Sequence, residues 1–184
     1  MDVIKVGNIL VAEPFTLDSY FKRSVIMIGE YSKDGAVGFI LNKPTDLFVR
    51  DALEDFPEIE SRIYFGGPVQ TDTIHFIHTY GEMLEGSKQI APGIYWGGNL
   101  EMLKLMIDIK TIQPSNIRFY AGYTGWDLTQ LSDELSNKKW IVSTKNASKY
   151  VMSDETFEMW GSVLRDLGKA YSILANFPED PSLN

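Results

Sequence analysis

Apolar residues come in short bursts between turn formers through the first half of the chain, and at helical spacings of three and four towards its end. GNILVAEP (residues 7–14), SVIMIGEY (24–31) and AVGFILNKP (36–44) are runs of β-branched and large apolar side chains bounded by Gly, Asn and Pro, the pattern of strands. Lys33-Asp34-Gly35 separates the second run from the third, and glycine supplies the positive φ that a tight turn needs. Residues 24–41 therefore read as a hairpin, ended by Pro44, which cannot donate to a continuing ladder. RIYFGGPV (62–69), TIHFIHTY (73–80) and QIAPGIYWGG (89–98) read as further strands.

Three stretches carry a helical period. Leu47, Leu53 and Phe56, with Val49 between, approximate one apolar face and predict a short helix over 47–56. Asn99 is a good N-cap for a helix whose inward face is Leu100, Leu103, Met106 and Ile107, halted by Pro114. Phe157, Trp160, Leu164, Leu167, Tyr171 and Leu174 form an amphipathic stripe, with Ser153 or Asp154 as cap. The tail after Phe177 is rich in proline and acid and reads as loosely held. No linker or composition shift divides residues 1–184, so one domain is expected, and strands in hairpins mixed with helices indicate an α+β fold over a doubly wound parallel sheet.

Composition narrows the chemistry. A chain of 184 residues with 44% hydrophobic and 23% charged residues is globular in type. It has no cysteine, which removes disulfides, thiolate metal sites and cysteine nucleophiles. The opening MDVIKVGNILVAEPF lacks the basic-then-apolar order of a secretory signal, and no apolar run is long enough for a membrane helix, so a cytoplasmic location without a membrane partner is expected. The formal net charge of −8 opposes binding to a phosphate backbone, since Lys22-Arg23, Lys138-Lys139 and Lys145/Lys149 are small groups and not a basic stripe.

Few residues are left to carry a reaction. His75 and His78 are the only histidines, and on a strand their odd separation points them to opposite faces, against a shared metal ion. Ser24, after Lys22-Arg23, is the most suggestive serine, yet no Gly-x-Ser-x-Gly elbow is present. The acids of Glu54–Glu60 read as a solvated helix end. Gly66-Gly67-Pro68 after a strand is either an anion-binding nest of backbone N–H groups or a place of close backbone approach. Asn42-Lys43-Pro44 presents an amide and a cation at another strand end.

In GYTGWDLTQL (122–131), Asp127 stands as a helix N-cap with Gln130 three residues on, and Trp126 and Leu131 occupy the two positions of a hydrophobic staple. Leu128, Leu131 and Leu135 are its expected inward face. Gly122 and Tyr123 have no such structural explanation. If this stretch holds a functional part, it is expected there, facing the Gly66-Gly67 loop.

Taken in order, GNILVAEP, FKRSV, GAVGFILNKP, GGPVQ and GYTGW with its following QL resemble the bacterial YqgE/AlgH family over roughly residues 7–175. Its members are labelled transcriptional regulators or uncharacterised. The resemblance implies an α+β fold whose bent or bifurcated mixed sheet forms a pseudo-barrel flanked by helices, and it implies no reaction and no cofactor. The chain departs from the family pattern at Lys43 (usually Arg), Leu128-Thr129 (usually Pro-Gly) and Ser132 (usually Glu).

Three functions follow as alternatives. The first is a non-enzymatic protein that binds a small molecule or a protein partner with regulatory consequences, using residues among Arg23, Ser24, Asn42, Gly66, Gly67, His78, Gly122 and Tyr123. The second is a hydrolase or transferase, with Arg23 for an anionic substrate, His78 as general base, and Ser24 and Asn42 beside them. The third, a regulator acting on DNA, is opposed by the charge.

Overall fold

The computed structural model describes residues 4–145 and 147–178. In chain order it contains β1 (Ile9–Ala12), β2 (Val25–Ser32), β3 (Gly35–Ile40), β4 (Pro44–Phe48), α1 (Val49–Ala52), β5 (Arg62–Phe65) and β6 (Val69–His78). There follow β7 (Lys88–Ala91), β8 (Ile94–Trp96), α2 (Leu100–Asp108), β9 (Ile117–Trp126), α3 (Leu128–Ser136), β10 (Trp140–Ser143), α4 (Ala147–Val151), α5 (Thr156–Asp166) and α6 (Lys169–Ser172). The loosely held tail expected after Phe177 lies, beyond Pro178, outside the described residues.

The strands form one open mixed sheet in the order β10-β1-β2-β3-β9-β6-β8-β7, with β5 also paired to β9 and β4 to β5. The fork is in β9. On one side β6 pairs with it from Ile117 to Tyr123. On the other, β5 runs parallel to residues 119–121, and β3 then takes over antiparallel at 124–126. Gly122, at φ 68°, sits at the changeover, in the left-handed region that glycine enters without penalty. The far edge strand β7 curls back beside β2, where Lys88 Nζ meets Glu30 Oε2 at 3.0 Å, giving the pseudo-barrel.

Three cores follow from this shape. Strands β1 and β2 bury both faces, which is why they read as unbroken apolar runs. Ile9, Val11, Val25 and Met27 face inward with Phe39 and Tyr120, under α5 residues Met159, Trp160, Val163 and Leu164. Leu10, Ile26, Ile28 and Ile40 face the opposite way, against Trp126, Leu131 and Trp140. Helix α2 covers the outer face of β5, β6 and β9 through Leu103, Met106 and Ile107.

The hairpin over 24–41 is present, with Ser32 paired to Gly35 around Lys33-Asp34. Four expectations are corrected. Residues 44–48 form a strand against β5, not the start of a helix, and only Val49–Ala52 is helical. QIAPGIYWGG is a hairpin of two strands. The closing helix ends at Asp166; Gly168 (φ 112°) breaks the stripe, Phe157 is 88% exposed, and Glu155 provides no side-chain cap. Leu100, also expected to face inward, is exposed.

Candidate functional site

The structure divides the eight candidate residues into three places. Arg23, Ser24 and Asn42 meet where β2 begins and β3 ends. The Asn42 side chain accepts from the Val25 N–H and donates to the Arg23 carbonyl, both at 2.9 Å, so it laces two strand ends together. Arg23, at φ 51°, lays its guanidinium 4.7 Å over the Trp160 ring and donates to the Phe177 carbonyl. Ser24 is fully buried and its hydroxyl has no partner among the described residues.

Gly66 and Gly67 lie directly against Gly122 and Tyr123, as expected, and the approach is backbone on backbone. A Cβ on Gly66 would stand 2.2 Å from the Gly122 carbonyl oxygen, and one on Gly67 2.3 Å from that of Tyr123. The Gly66 N–H donates to the Ala121 carbonyl at 2.9 Å, which takes it away from any anion nest. Tyr123 packs edge-on to His75, with centroids 5.8 Å apart.

His78 is elsewhere, at the far end of β6 opposite Ile117, and shares no hydrogen bond or ring contact with Arg23, Ser24 or Asn42. Its Nδ1 accepts from the Tyr80 N–H at 3.2 Å, which places the proton on Nε2, 2.9 Å from the Gly97 carbonyl and 3.2 Å from Ser87 Oγ. Burial holds its pKa below the ordinary value, against the opposing pull of the Gly97 carbonyl. A neutral imidazole with both nitrogens engaged has no lone pair to offer a substrate, so the base expected at His78 is not assembled with the other three residues.

A cleft of about 540 Å³ opens beside these clusters, between the 13–21 segment, the Pro68-Val69 turn, Gly125-Trp126 and α3. Lys43 steadies its outer wall by donating to the carbonyls of Ser19 (3.2 Å) and Tyr20 (2.7 Å). Asp127 fixes the inner wall as the N-cap of α3, accepting from the Gln130 N–H at 2.7 Å. At its floor is Glu134. One carboxylate oxygen accepts from both indoles, Trp126 Nε1 at 2.9 Å and Trp140 Nε1 at 2.7 Å; the other accepts from Gln130 Nε2 at 3.1 Å. Burial raises the Glu134 pKa, but the hydrogen bonds from Trp140, Gln130 and Trp126, with the Lys139 charge, outweigh it and hold the group below its ordinary value. Glu13 and Asp18 add two carboxylates to the wall, against one ammonium from Lys139.

Sequence reasoning passed over Glu134. Its signal was present as a carboxylate one helical turn after Gln130 and two after Asp127, between two tryptophans. Among the described residues no helix is long and apolar enough to cross a membrane.

A bifurcated mixed sheet, forked at a glycine in β9 and carrying an acid-anchored cleft between a capped helix and a loop, defines an α+β protein of one recognisable architecture. Residues 9–172 match the DUF179 family, described as AlgH-like, and the chain belongs to that family. It is 39% identical over 183 residues to a UPF0301 protein of Chlorobaculum parvum and 41% over 184 residues to one of Pelodictyon phaeoclathratiforme, covering 100% of this chain and 97% of each relative. The solution structure of the AlgH protein from Pseudomonas aeruginosa superposes with a TM-score of 0.73 at 25% identity, over 97% of this chain and 98% of that one. A crystal structure from Corynebacterium diphtheriae gives 0.77 at 23% identity over 96% and 94%, a likeness of fold.

Proposed function

We propose that this chain is a non-enzymatic cytoplasmic binding protein, working without a cofactor, whose cleft beside α3 docks a basic segment of a protein partner and so exerts a regulatory effect. The observation that carries this reading is the Glu134 carboxylate, ionised and fixed by two indoles at the floor of a cleft with an apolar rim. Phe15 and Leu17 stand on that rim at 57% and 95% exposure, more than an isolated surface needs. Glu13, Asp18 and Glu134 favour a lysine or arginine side chain carried between apolar neighbours, and the net charge of −8 draws such a partner in. The hydrolase alternative loses its base, because His78 is occupied elsewhere.

The test is parallel capture from an extract of the native organism with the wild-type chain and with Leu17→Lys, a change at a fully exposed position that leaves folding intact and gives the rim the partner's own charge. A partner recovered with the first, lost with the second and released by moderate salt supports the reading. Recovery of the same proteins with both sinks it.

A further inference from the structure

Three of the five arginines of this acidic chain gather round two aromatic rings, at a cavity that shares no residue with the α3 cleft. Arg50 and Arg62 stack on the Phe48 ring from 4.8 and 4.9 Å, and Arg118 lies 5.7 Å over the Tyr64 ring. An open cavity of about 290 Å³ lies beside them, lined by Arg62 and Arg118 with Ser61, Tyr64 and Ser115, and also by the acids Glu60 and Asp154.

Arg118 is the unusual member. It is 5% exposed, yet among the described residues no buried carboxylate faces it. One terminal nitrogen donates to the Pro114 and Ile117 carbonyls at 3.1 and 3.3 Å. The other donates to the Met152 carbonyl at 3.0 Å and to Asp154, a carboxylate 89% exposed. Nε has no partner among the described residues. A buried cation is ordinarily matched by a close, desolvated anion, since the cost of removing it from water is otherwise uncompensated. The other acids nearby are equally outward. Asp46, 3.7 Å from Arg62, is fully exposed, and Glu60 is held by Arg50 with two thirds of its side chain in water.

We propose that this cavity is a binding site for a small phosphate-type anion, inorganic phosphate or the head of a phosphomonoester. Arg118 supplies the buried charge, Arg62 the second cation at the mouth, and the hydroxyls of Ser61 and Tyr64 further donors, joined by that of Ser115 when it turns from Asn116 Oδ1, its acceptor at 2.8 Å. Asp154, already in water, is the group the anion displaces.

The experiment is a titration of the isotopically labelled full chain with inorganic phosphate and, separately, glycerol phosphate, at fixed ionic strength with chloride as control. Saturable shifts confined to residues around Ser61, Arg62, Ser115 and Arg118 are expected, weakened roughly tenfold by Arg62→Gln, since one charge-assisted hydrogen bond is lost. Ser115→Glu, at an exposed position, abolishes them, and Arg165→Gln on α5 leaves them unchanged. Equal affinity for both probes assigns the free anion; tighter binding of the ester assigns a phosphomonoester. Shifts that are scattered or linear, that chloride reproduces, or that survive Ser115→Glu overturn the site.

Discussion

Trp126 and Trp140 meet edge to face, centroids 5.9 Å apart and planes at 87°, and both indole N–H groups point to the same oxygen of Glu134. One carboxylate thus satisfies the polar edges of two large side chains in the core beneath α3, and joins the helix to β9 and β10.

Glu134→Ala leaves both indole donors without an acceptor and is expected to cost about 2–3 kcal/mol, the order of a buried group left unpaired. Glu134→Gln keeps the shape and costs less, and it changes the acid limb. The folded pKa is depressed, so the carboxylate's contribution is present above the unfolded value of about 4.3 and is lost as pH falls through the folded value. Urea unfolding from pH 7 to pH 3 should therefore fall less steeply for Glu134→Gln than for wild type; parallel curves would remove Glu134 from this role.

Histidine burial acts over a higher window. His75 and His78 are both held below the ordinary imidazole pKa by burial. Each is taken up in protonated form by the unfolded chain first, so stability is full above about pH 6.5 and declines below it, by up to about 1.4 kcal/mol per pH unit for each. A His78→Gln variant should show a shallower decline between pH 6.5 and 5, followed by denaturant midpoint.

Gly66→Ala and Gly122→Ala are expected to cost roughly 3 kcal/mol or more, because the added carbon meets rigid backbone: the Gly122 oxygen at 2.2 Å and the Gly67 oxygen at 2.5 Å respectively. Gly86→Ala is the control. It shares the positive φ of Gly122 (80° against 68°), which Gly66 lacks, but has open space around it, so about 1–2 kcal/mol is expected. Similar losses at Gly122 and Gly86, with a smaller one at Gly66, would mean that φ, not close approach, decides.

Asp127→Ala removes the cap of α3 and should lower stability by about 1 kcal/mol while leaving partner capture intact. Abolished capture with an unchanged denaturation midpoint would give Asp127 a direct part in binding.

Local chemistry was what the sequence disclosed. Lys33-Asp34-Gly35 marked the hairpin, Asn99 and Asp127 marked two helix starts, and the parity of His75 and His78 placed them on opposite faces. What it hid depends on distant partners. Residues 44–48 are a strand because β5 lies beside them, and a helix-like spacing of Leu47 and Val49 cannot report that. Gly168 broke a stripe that side-chain period alone would continue. Gly66 and Gly122 were recognised as special, but whether glycine is there for a ligand or for another backbone is decided only by what comes against it. Glu134 needed Trp140 brought alongside Trp126 by the turn of α3 before its carboxylate had a task.

The fork in β9 also sets an order of events during synthesis. The hydroxyl of Thr124 bonds the carbonyl of Gly38, 86 residues earlier, and β5 and β6 wait on the same strand. The amino-terminal strands leave the ribosome with residues 36–38 of β3 unpaired until residues 124–126 emerge, and with the outer edge of β1 unpaired until β10 does. For that interval the nascent chain is a sheet without its centre, showing strand edges of the kind that pair with other chains.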